Sequence, residues 1–172
     1  MLDLGSLAEG CPAITAAFGQ YLAEAGSVCL ESQGHVPGVL LSIRGLAPQD
    51  HEVVWPEATE QMRRCLNDPE VATEHGAVGV AVVLAKEVVG YSVIERSRKG
   101  TGFDYWLGDN GELPFQNMAR LEISGIREGT ADQIESRVRQ KLRQVAPSDD
   151  TGLPAYVVVV EFGRPCAEVR DS

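Results

Sequence analysis

Residues 71–90, VATEHGAVGVAVVLAKEVVG, decide how the rest of the chain is read. Their valines favour a strand, but an apolar run of this length with many small residues suits a buried helix. Thr73 stands where an N-cap is needed, and Gly90 stands where a helix would end in the left-handed region. The reading is a helix over residues 73–89. As a strand, the same residues would imply a different fold for everything that follows.

Working downstream, the period changes from helical to alternating. Residues 91–96 read as a strand, and the polar turn Ser97-Arg98-Lys99-Gly100 leads to a second strand over 102–107. A loop over 108–117 leads to a third over 118–124. Residues 130–145 are an amphipathic helix with Ile134, Val138, Leu142 and Val145 on one stripe. The run AYVVVVEF at 155–162 reads as a strand buried on both faces. The expected order from residue 73 is α-β-β-β-α-β.

Upstream the pattern is less telling. Ile14, Phe18, Tyr21 and Leu22 predict a helix over 12–25. Residues 27–32 and 38–44 read as a hairpin turning through Gln33-Gly34-His35-Val36-Pro37, and 51–55 as a further short strand. Pro56 suits the start of a helix to about Leu66, which Asn67-Asp68-Pro69 would end. The expected organisation is an N-terminal α/β extension over 1–70 and a core over 71–172.

Composition sets bounds. At 172 residues the chain suits one domain with an extension. No run of eighteen apolar residues is present, and MLDLGSLAEG lacks the parts of a signal peptide, so a cytoplasmic protein without a membrane span is expected. Cys11, Cys29, Cys65 and Cys166 are scattered, with no zinc-ligand spacing. The net charge of -10 argues against autonomous, non-specific DNA binding. Yet residues 94–143 hold 9 basic and 8 acidic residues, whereas 1–93 hold 4 and 12. A protein partner or a homo-oligomer would then supply affinity for nucleic acid.

Alternation places Arg120, Glu122 and Ser124 on one face of the third strand and Ala119, Leu121 and Ile123 on the other. On the second, Phe103, Tyr105 and Leu107 share a face, opposite Asp104 and Trp106. Asp104 and Glu122 meet if these strands are neighbours. Adjacent carboxylates repel, and a divalent cation with a taste for oxygen, Mg²⁺ or Mn²⁺, would neutralise them. Glu74 shares a helix face with Val78, Ala81 and Ala85, where a carboxylate is costly unless paired. It also lies near a helix start, where an acid simply complements the dipole.

This order, with Glu74 in the first helix, Asp104 in GTGFDYWLG and Glu122 in ARLEISG, resembles the PD-(D/E)xK nuclease superfamily over roughly residues 71–162. The resemblance implies a restriction-endonuclease-like α/β core and Mg²⁺-dependent hydrolysis of nucleic-acid phosphodiesters, with a bacterial genome-defence role. The metal would sit on Asp104 and Glu122, with Glu74 nearby. The family's lysine should stand two residues after the second acid, and here that residue is Ser124. Serine can hydrogen-bond but carries no positive charge. Lys141 on the following helix and Lys99 in the first turn are the two candidate replacements, with Gln140 and Gln144 as possible assistants. Arg96, Arg98, Lys99, Arg120, Arg137, Arg139 and Arg143 are candidate phosphate contacts. Trp106, Tyr105 and Phe115 are candidates for base stacking, though core packing suits each as well. The alternatives are a non-catalytic relative, a binding or regulatory subunit that has lost its lysine, and an α/β protein unrelated to nucleases whose acids are surface residues.

Overall fold

A computed structural model describes residues 1–172 apart from Glu112, Pro114 and the side chain of Asp149. The expected loop over 108–117 thus includes two residues outside the described set. The first helix, α1 (Ala16–Ser32), starts where Thr15 Oγ1 accepts from the Phe18 backbone N–H at 3.2 Å. It runs on through residues 27–32, which the sequence reading made a strand. The helical spacing of Leu22, Ala25 and Cys29 continues there, and all three are buried. Packing against a second helix overrides the local strand preference of Val28-Cys29-Leu30.

That partner is the decisive segment. After a short α2 (Glu60–Cys65), helix α3 (Pro69–Leu84) begins four residues earlier than expected. Asp68, not Thr73, is its N-cap, accepting from Glu70 N at 2.9 Å and Val71 N at 3.3 Å, and Pro69 occupies the first turn. A π turn over Ala85–Val89 follows, and Gly90 stops the helix at φ 81°. Helix α3 is hydrophobic nearly all round because α1 covers one side and the sheet the other. Gly79 permits the first contact, since a Cβ there would lie 3.0 Å from Leu22 O. Gly125 permits the second, since a Cβ there would lie 2.5 Å from Thr73 O.

The fold is mixed α/β, and no helix among the described residues is long and apolar enough to cross a membrane. The strands are β1 (Leu2–Asp3), β2 (Val39–Gly45), β3 (Gln49–Val54), β4 (Ser92–Arg96), β5 (Tyr105–Gly108), β6 (Ala119–Ile126), β7 (Ala155–Glu161) and β8 (Cys166–Asp171). Among the described residues they form one sheet in the order β1-β3-β2-β8-β7-β6-β5-β4. β4, β5 and β6 are an antiparallel meander, and β7 lies parallel to β6. Helix α4 (Ala131–Val145), capped by Thr130, makes that crossover. The order α-β-β-β-α-β from α3 onward is therefore present. Strand β8, unread in the sequence because charges interrupt CAEVRD, pairs with both β7 and β2. Residues 1–70 and 71–172 thus share one sheet.

The two faces of the sheet carry different cores. Ala119, Leu121 and Ile123 join the large cluster with α3, together with Val158 and Val160 of β7. Val157 and Val159 join a smaller cluster with Ile134, Val138 and Val145 of α4. β7 is therefore buried on both faces, as its sequence indicates. β5 is shorter than expected, because residues 102–104 bend before the ladder begins. Phe103 consequently leaves the face of Tyr105 and Leu107 and packs on Trp106, ring centroids 4.6 Å apart, in the smaller cluster.

Candidate active site

A cleft of about 610 Å³ opens at the edge of β6 where that strand runs on past the start of β5. α3 and α4 lie on opposite faces of the sheet, so each supplies one wall. The α3 wall carries Glu70, Thr73, Glu74, His75 and Val78, with Phe18 of α1. The α4 wall carries Arg137, Lys141 and Gln144, and Arg96 and Arg127 also line the cleft. Asp104, Glu122, Ile123 and Ser124 form the floor.

Glu122 is buried at the centre of β6. Its Oε1 accepts from Lys141 Nζ at 2.5 Å and from Gln144 Nε2 at 2.9 Å, and Lys141 also donates to Gln144 Oε1 at 3.1 Å. Asp104 stands just before β5, and the Tyr105–Leu121 pairing sets it beside Glu122. The Ile123 backbone N–H donates to Asp104 Oδ2 at 2.9 Å. Arg137 Nη1 donates to Ser124 Oγ at 2.7 Å. Residues 137, 141 and 144 recur at i, i+4 and i+7, so one face of α4 delivers all three polar heads to the floor.

Burial raises Glu122, and the neighbouring Asp104 charge raises it further, against the lowering effect of Lys141; the result is about 7. Asp104 is also raised, first by burial, although the Ile123 N–H bond and the charges of Lys141 and Arg96 pull it back. Both carboxyls are thus raised, chiefly by burial, and they titrate as a pair rather than singly. Glu122 Oε2 is buried and meets no N–H or hydroxyl donor. A cation placed there would give that oxygen the partner it lacks.

The remaining candidates separate clearly. Glu74 lines the α3 wall but is exposed, so its carboxylate bears no burial cost on an apolar stripe. Among the described residues, no three His, Cys, Asp or Glu side chains form a metal-holding group. Lys99 lies in the exposed β4–β5 turn and does not line the cleft. Arg98, Arg139 and Arg143 are likewise exposed and outside the lining, with Arg139 pairing Glu135 at 3.4 Å. Gln140 is exposed too, and it is Gln144 that reaches Glu122. Arg120 is buried and bonds the carbonyls of Val145 and Leu153 and the Ser148 hydroxyl. Tyr105 is buried under the Arg96 guanidinium, 5.5 Å from the ring centre. Sequence reasoning missed the Arg137–Ser124 bond and the Phe18 and His75 wall. The four-residue spacing from Arg137 to Lys141 was the available signal for the first.

No family model, curated protein or solved structure matches the chain.

Proposed function

We propose that this chain is a metal-dependent nuclease-like protein of the PD-(D/E)xK kind, acting on nucleic-acid phosphodiesters at the cleft. One observation carries the reading. A carboxyl pair, half-buried Asp104 and buried Glu122, shares the cleft floor with an ammonium from α4, inside an α-β-β-β-α-β arrangement.

The donor set suits Mg²⁺ or Mn²⁺. Two hard carboxylates converge, one buried oxygen lacks a donor, and such ions are often held by one or two carboxylates with water and phosphate completing the shell. Asp104 and Glu122 would hold the ion, and Glu74 on the wall would act at most through a water. Bound there, it would supply Lewis-acid stabilisation of the phosphodiester oxygens. Lys141 is the cation that stands in for the motif lysine. It is fixed by Glu122 and Gln144, so its charge is in place before phosphate charge develops. Ser124, at the lysine's sequence position, is held by Arg137, a second cation on the same wall.

The alternative, a non-catalytic binding or regulatory subunit of a larger complex, draws on Ser124 at the lysine position and on the net charge of -10. Cleavage assays with Mg²⁺ and Mn²⁺ on single- and double-stranded DNA and RNA separate the two. The wild type should cut at least one substrate, and Asp104→Ala and Lys141→Met should lose that cutting while remaining folded. Undiminished cleavage by Lys141→Met would remove this lysine from the mechanism. No metal-dependent cleavage by the wild type would leave the subunit reading.

A further inference from the structure

The two walls of the cleft differ in chemistry, and the difference bears on the substrate. The α4 side is cationic, with Arg137 and Lys141, and Arg127 adds charge to the lining. The α3 side presents Phe18 and His75 above an acidic rim of Glu70 and Glu74. Both acids are exposed, and Phe18 and His75 are half-buried with part of each ring open to the cleft. His75 is steadied by its Nδ1 contact with Val71 O at 2.9 Å and by the edge of Tyr21, centroids 5.1 Å apart.

Resting on the nuclease reading, we infer that the substrate is a single strand, or a frayed strand end, held with its phosphates along α4 and its bases against α3. Phosphates carry one charge each and seek the guanidinium and ammonium groups. Unpaired bases offer flat faces to Phe18 and His75, and their exposed amino groups are donors that Glu70 and Glu74 can accept. A duplex cannot divide itself in this way. Its bases are stacked inside, and both outer edges are phosphate. With one strand's phosphates on α4, the other strand's would face the acidic rim at close range. The net charge of -10 adds to that repulsion.

Fluorescence anisotropy of the full chain without divalent metal tests the inference separately from catalysis. The probes are a labelled DNA strand of about ten nucleotides, an RNA strand of the same sequence and the DNA duplex. One strand should bind at least tenfold tighter than the duplex, and the DNA and RNA arms show which. Phe18→Leu keeps apolar packing but removes the stacking face, and should weaken strand binding about 5- to 100-fold per lost base stack. Glu70→Lys should strengthen duplex binding. Equal or tighter duplex binding, absence of strand binding, or wild-type affinity in a folded Phe18→Leu would overturn the inference. Cleavage in Mn²⁺, lost in Asp104→Ala, reports on the nuclease reading independently of which probe binds best.

Discussion

Two buried charges, Arg120 and Glu122, sit two residues apart on the same face of β6 under the same helix, and they behave differently. Arg120 sends its guanidinium to the carbonyls of Val145 and Leu153 and to Ser148, tying the end of α4 to the segment before β7. Glu122 keeps one buried oxygen without a donor and a carboxyl raised to about 7. A buried charge whose bonds are made holds a structure together. A buried carboxyl with one oxygen left without a partner, beside a second carboxyl and an open cleft, is a candidate binding site.

The sharpest way to break this contrast is to exchange roles. Arg120→Leu should cost about 3 kcal/mol or more, because several buried acceptors lose a charged donor. Urea unfolding would show it, and the metal response of whatever remains folded should be intact. A loss below about 1 kcal/mol would mean that Arg120 is not the anchor the hydrogen bonds indicate.

Next in size is metal binding. Millimolar Mn²⁺ or Mg²⁺ should raise the melting temperature of the wild type, by about 2.7 kcal/mol of stability once free ion reaches a hundred times its dissociation constant. Asp104→Asn should lose most of the gain. A thermal-shift titration with equal responses in both proteins would contradict the carboxylate pair as the ion's seat.

A smaller, pH-dependent effect isolates Glu122. Its folded value, about 7, lies above the ordinary 4.5, so the folded chain binds the proton more tightly than the unfolded one. That contribution to stability is complete below pH 4.5 and is lost as pH rises through about 7. Without metal, Glu122→Gln should therefore melt near the wild type at low pH and above it, by a few degrees, at pH 8. Parallel melting curves across this window would mean that Glu122 is not held protonated by its surroundings. Smallest of all, Lys99→Met should change stability by less than about 0.5 kcal/mol and leave cleavage intact, since its side chain projects from an exposed turn.

How far the sequence could be read follows the same physical divide. Helix α4 was legible from its helical period and β6 from its alternation, and β7 from an unbroken β-branched run that suits a strand buried on both faces. The stretch at 27–32 was misread because Val28-Cys29-Leu30 is strand-like only in isolation; α3, fifty residues away, makes it helical. Phe103 was assigned the wrong face because alternation assumes a strand that begins before residue 105. β8 was missed because its neighbours β2 and β7, not its own composition, make it a strand. At the site, alternation on β6 separated Glu122 from the core face correctly, but it treated Arg120 and Glu122 alike.

By itself, then, the sequence determined the α-β-β-β-α-β order, the polar face of β6 and the short list of acids and cations, because periodicity and residue chemistry are local properties. Tertiary structure alone decided which of these meet: Lys141 over Lys99, Gln144 over Gln140, Arg137 on Ser124, Arg120 as an anchor and Glu74 on the exposed wall. Those choices depend on where α4 crosses β6 and how closely α3 approaches Gly125. Both are set by packing among residues far apart in the chain, which no local pattern encodes.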